Sequence, residues 1–199
     1  MKKHMSFYAS LLLVTALILS DFTPVQAQSQ PAGNSSNQSS KTQPTKSSYT
    51  KAQRKYDSEF AMAAASTSHL VVSLGKLAQQ KAIVQEVKDW GKTMEQEYTA
   101  VGQKLDTIAR RNSIAVPAMM SPEDRSIYND VDGRKYLGFD KKYLRDLLTL
   151  HQRTAKRYAE AATKLSNPEL LAYVTEMLPK IRAHEAKTAE LFERANALK

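Results

Sequence analysis

Two long stripes of helical period, joined by a short break and each carrying one inward histidine, constrain this chain more than any other feature. The first runs through Phe139, Tyr143, Leu144, Leu147, Leu148, His151, Ala155, Tyr158, Ala162 and Leu165. The second runs through Leu170, Leu171, Val174, Met177, Leu178, Ile181, His184, Thr188, Leu191 and Ala195. Residues at alternating three-and-four spacing share one helix face, so each stretch must bury that face against a neighbour. Between them Ser166-Asn167-Pro168-Glu169 reads as a break, an N-cap, a proline at the first helical position and an acid near the positive helix end. Pro179 falls inside the second stripe, which resumes in phase beyond it. A kink in one helix is therefore expected, not a stop.

The preceding part of the chain reads as a second hairpin. A helix is expected from Asp57 or Ser58, with Phe60, Ala64, Thr67, Val71, Leu74 and Ala78 on its inner face. Gly75 within it can admit a neighbouring helix closely, and His69 lies half a turn away and is expected to point outward. After a break near Ala82 to Gln85, Val87, Gly91, Met94, Tyr98, Val101, Leu105 and Ile108 mark the next inner face, with Trp90 at its border. The connection from Ser113 to Gly138 contains Ser121-Pro122-Glu123-Asp124, the start of a short helix. No stretch sustains the period-two alternation of a strand. The expected fold is all-α: a four-helix bundle over residues 57–199, with a short helix in the long connection between its second and third helices. A crossover of that length lets those two helices run in the same direction.

The first 27 residues read as a signal peptide: Lys2 and Lys3, an apolar run from Phe7 to Ser20, and Val25-Gln26-Ala27 as cleavage site. The run is shorter than the roughly 20 residues that span a bilayer, so no transmembrane segment is expected in the mature chain. Export follows, to the periplasm or to peripheral association with the outer membrane. The absence of cysteine fits an oxidising compartment and removes thiolate sites. Residues 28–56, rich in Ser, Gln, Thr and Lys, lack the apolar surface that would offset chain ordering, and read as a flexible tether.

The formal charge of +9 is concentrated before the bundle. Lys41, Lys46, Lys51, Arg54 and Lys55 have no acid among them, whereas residues 57–199 carry 22 bases and 19 acids. Weak contact of the tether with anionic envelope surfaces is expected, and no nucleic-acid partner.

The chemistry turns on residues at one height. His151 lies 16 residues before Asn167 and His184 lies 17 after it. At about 1.5 Å rise per residue these are level across an antiparallel pair. Val71 and Tyr98 are likewise level across the first hairpin, so the four inner faces present Val71, Tyr98, His151 and His184 near mid-bundle. Di-metal bundles use inward carboxylates and Glu-x-x-His pairs. This chain has no Glu-x-x-His, and Glu97, beside Tyr98, is the nearby carboxylate. The favoured reading is a polar core in which His151, His184, Tyr98 and Thr67, Thr154 or Thr188 satisfy one another. The alternative is a metal site of His151, His184, Glu97 and Tyr98 for iron, zinc or manganese; no cofactor is favoured. No nucleophile motif, phosphate loop or His-Glu-x-x-His is present, so an enzymatic role is not favoured.

Phe60, Ala63-Ala64, Leu74-Gly75-Lys76-Leu77-Ala78, Lys81, Val87-Lys88 and Met94, with Phe139-Asp140-Lys141-Lys142-Tyr143, His151, Leu178-Pro179, Arg182, His184 and Ala186, resemble the bacterial domain of unknown function 4142 family, over residues 57–191. The resemblance implies a ferritin-like four-helix bundle in an exported protein, often labelled a predicted outer-membrane protein, without an established activity. Family members commonly carry a glutamate where Val71 stands and an Asp-His pair where Glu97-Tyr98 stands. An envelope interaction or stress-support role is the expectation from that context.

Overall fold

The computed structural model describes residues 49–199, in which five helices and no strands form. The expected signal peptide and most of the expected tether lie outside the described residues.

Helix α1, Lys51–Lys81, begins earlier than its apolar stripe. Thr50 and Gln53 form a capping box: Gln53 N–H donates to Thr50 Oγ1 at 3.1 Å, and Thr50 N–H to Gln53 Oε1 at 2.8 Å. Residues 51–56, read from sequence as tether, are therefore helical, and Asp57 is not a cap for its own helix. Good helix formers on an exposed stretch carry no stripe, which is why periodicity alone started the helix too late.

Helix α2, Gln85–Arg111, follows a three-residue break. Gly75 and Gly91 let the two backbones meet: a Cβ on Gly75 would lie 2.5 Å from Gly91 O, and one on Gly91 would lie 2.6 Å from Ala78 Cβ. The close approach anticipated at Gly75 is there, with Gly91 as its counterpart.

Helix α3, Pro122–Asp132, is capped by Ser121, whose hydroxyl accepts from Asp124 N–H at 3.2 Å. It packs on α1 and α4. Asp124 is buried, accepts from Ser66 Oγ and faces the Arg153 guanidinium at 3.5 Å. Helices α4, Tyr136–Lys164, and α5, Pro168–Ala197, form the second hairpin, and α5 continues through Pro179. Asn167 caps α5 by accepting from Glu169 and Leu170 N–H at 2.9 and 3.0 Å.

The hairpins join edge to edge, α1 against α4 and α2 against α5. Phe60 meets Tyr158 edge-on at one end of α1, while Lys81 lies over Phe139 at the other, so α1 and α4 are antiparallel. Pairs Glu86–Arg194, Lys104–Glu176 and Arg111–Glu169 descend in register, so α2 and α5 are antiparallel too. It follows that α2 and α4 run in the same direction, as the long connection allows.

Candidate functional site

The apolar core is two clusters, not one. One gathers Leu70, Val71, Leu74, Met94, Tyr98, Leu147, Leu150 and Leu191, among others. The other gathers Ala64, Val101, Leu105, Tyr158, Val174, Met177 and Ile181, among others. On three of the four long helices the residues between these sets are polar and buried: Ser66, Thr67 and Ser68 on α1, His151 and Thr154 on α4, His184 and Thr188 on α5. Tyr98 borders the layer on α2. A polar layer thus separates two apolar half-cores, and the two histidines lie in it.

The level read from sequence is met. The rings of His151 and His184 are 5.5 Å apart, and Tyr98 lies 6.1 Å from His151 and 5.8 Å from His184. Val71, the fourth residue of that level, is fully buried. The expected mutual hydrogen bonding is met only through Thr188, whose hydroxyl oxygen lies 3.4 Å from His151 Nδ1; the three rings touch without bonding one another. Thr154 returns its hydroxyl to Leu150 O at 2.7 Å, and Thr67 lines a surface groove, so of the three threonines only Thr188 serves a histidine.

Thr188 determines the proton positions. Its hydroxyl donates to His184 O at 2.7 Å, leaving only lone pairs for other partners. Trp90 Nε1–H donates to it at 3.1 Å, and His151 Nδ1 lies 3.4 Å away and must be the N–H. His151 Nε2 therefore carries the lone pair; it is buried and has no partner. His184 Nε2 lies 2.7 Å from Glu97 Oε2, and a carboxylate accepts, so Nε2 is the donor. In the neutral ring Nδ1 then carries the lone pair, and it too is buried without a partner. Burial, then the neighbouring His184, pushes the His151 pKa down to about 3, so that ring stays neutral. Burial, then the nearby Tyr158 and Glu97, raises the Tyr98 pKa and keeps its hydroxyl protonated; that oxygen is also unpartnered.

Trp90 is the member that sequence reasoning undervalued. Trp90 was placed at the border of its stripe, yet its indole stands edge-on to His184 at 5.8 Å and anchors Thr188. His69, expected to point outward, is half-buried and donates to Pro117 O at 3.1 Å, fastening the long connection over α1.

The layer offers two unpartnered imidazole nitrogens, with one carboxylate bonded behind His184. Zinc asks for about four ligands, and the harder ions ask for carboxylate oxygens. Among the described residues no three His, Cys, Asp or Glu side chains gather as a metal-binding group. Glu97 bonds the far nitrogen of His184, one bond removed from any ion the ring could hold.

No curated protein and no solved structure matches the chain. A family model matches residues 41–191, three of the four inner faces and nearly all of the fourth included, and on that match the chain belongs to the family described as Domain of unknown function (DUF4142).

Proposed function

We propose that this chain is an exported, non-enzymatic ferritin-like four-helix bundle acting by interaction or stress support in the cell envelope. Antiparallel contact between adjacent long helices, with α2 and α4 running the same way, supports the bundle reading. The observation that carries the non-enzymatic reading is the burial of the histidines: His151 and Thr188 are fully enclosed and His184 nearly so, and the surface groove of about 980 Å³, which Ser66 and Thr67 of the polar layer help to line, holds neither histidine. Convergent polar groups out of reach of substrate are a core feature.

Export rests on the N-terminal pattern of charge, apolar run and small-residue cleavage site; no described helix is long and apolar enough to cross a membrane. Peripheral attachment through Lys41 and Lys46, extended by the exposed Lys51, Arg54 and Lys55 on the first turns of α1, would be electrostatic and salt-sensitive. Intact mass of the protein from fractionated cells tests this reading. A chain beginning at Gln28, in the periplasm or stripped from membranes by salt, is expected. A chain that keeps residues 1–27 in the cytoplasm would contradict it.

A second reading, a degenerate metal-binding or redox protein using His151 and His184, draws on one observation: two buried imidazole nitrogens with free lone pairs.

A further inference from the structure

We propose that His151 Nε2 and His184 Nδ1 form a two-coordinate site for a soft monovalent cation, with Cu(I) as its probe. The inference rests on the metal-binding reading above and narrows it. Both nitrogens are buried and unpartnered, on rings whose centres are 5.5 Å apart. Each ring is fixed from its far side, His151 by Thr188 at 3.4 Å and His184 by Glu97 at 2.7 Å. Bonding at the outer nitrogen sets the tautomer and makes the inner nitrogen more basic, as in carboxylate–histidine–metal arrangements.

The charge of the ion follows from the surroundings. The ligands are neutral, and Tyr98, against both rings, contributes a phenol and no charge. Glu97 supplies one negative charge, enough to offset a monocation and not a dication. The cost of removing an ion from water grows with the square of its charge, so a buried dication is disfavoured steeply. Copper accepts imidazole, and its monovalent state is satisfied by few, polarisable donors, whereas zinc, iron and manganese need ligands this layer does not offer.

The full chain, equilibrated without oxygen against a coloured Cu(I) chelator and separately with Zn(II), Fe(II) or Mn(II), decides the matter. One Cu(I) per chain is expected, with a nitrogen-only first shell by X-ray absorption. His151→Phe and His184→Phe should each abolish it, and Glu97→Gln should weaken it by about 10- to 100-fold. Where a phenylalanine variant fails to fold, the absorption spectrum and Glu97→Gln decide. Sulfur in the first shell would move the ion to the methionines and overturn the proposal. Stoichiometric zinc, iron or manganese without Cu(I) would overturn it and leave the broader metal reading standing. No bound metal of any kind would remove both.

Discussion

Asp57 and Asp140 hold equivalent places in the two hairpins and each closes the turn of the other. Each lies 25 residues before the C-cap of its own helix, Ala82 for α1 and Leu165 for α4. Asp57 accepts from Ser166 N–H and Asn167 N–H, both at 3.0 Å, and from Ser166 Oγ at 2.6 Å. Asp140 accepts from Ile83 N–H at 3.1 Å and Val84 N–H at 2.9 Å. The two aspartates are 83 positions apart, and the same spacing relates Glu86 to Glu169 and Met94 to Met177. The breaks between helices leave N–H groups without helical partners, and a buried carboxylate from the opposite hairpin satisfies them. Replacing either aspartate with alanine should cost about 2–3 kcal/mol, since bonds to a charged group are lost and buried donors are left bare. Urea unfolding of Asp57→Ala and Asp140→Ala measures this, and losses below the surface-substitution range of about 0.5 kcal/mol would sink it.

Gly75→Ala and Gly91→Ala separate propensity from packing. Alanine gains about 1 kcal/mol over glycine in an isolated helix. Here the added Cβ would fall 2.5 Å from Gly91 O or 2.6 Å from Ala78 Cβ, so the helices must part. A net loss of about 1–3 kcal/mol is expected, in the range of overpacked cores. A raised melting temperature in either variant would show that α1 and α2 are not in contact there.

The pH dependence of stability carries the signature of His151. Its folded pKa, about 3, is below the usual 6.5, so between these values the unfolded chain binds more protons. Its contribution is therefore complete above about pH 6.5 and is lost as pH falls toward 3, with a limiting slope of about 1.4 kcal/mol per pH unit. Going from pH 7 to 5 should cost wild type about 2 kcal/mol more than His151→Phe, which removes the group and cancels the background titration of the carboxylates. Equal slopes in urea unfolding would mean that the ring is not held neutral.

Ser66 joins α1 to the long connection. Its hydroxyl donates to the buried Asp124 and accepts from Ser121 N–H at 2.7 Å. Ser66→Ala leaves both ends unsatisfied, so faster hydrogen exchange is expected over residues 117–132 while α2 and α5 keep their protection. A uniform change along the whole chain would refute a local role.

Much of the fold was legible in the apolar stripes, because inward residues recur at helical period whatever they pack against. Tyr98, His151 and His184 could be levelled by counting from the two breaks, and their rings do meet. What escaped was every bond without a local signal. The Asp57–Ser166 contact spans 109 positions and no periodicity marks it. Thr188 is named from sequence as one of three candidate threonine partners, yet no pattern shows that its single hydroxyl proton is spent on His184 O and so decides which nitrogen of His151 is free. The early start of α1 was written in Thr50 and Gln53, a capping pair that a search for apolar faces passes over. Glu97 is a candidate in the sequence only as the carboxylate beside Tyr98; its bond to His184 Nε2 crosses 87 positions and has no local signal.

The two free imidazole nitrogens are the centre of this account, and nitrogen-15 NMR of the histidine side chains reads them directly. His151 should keep its proton on Nδ1, with Nε2 unprotonated, from pH 8 down to about 4. In the neutral state His184 should carry its proton on Nε2, bonded to Glu97. A His151 that titrates near its ordinary value, or that carries its neutral-state proton on Nε2, would contradict the tautomers assigned here and remove the site built on them.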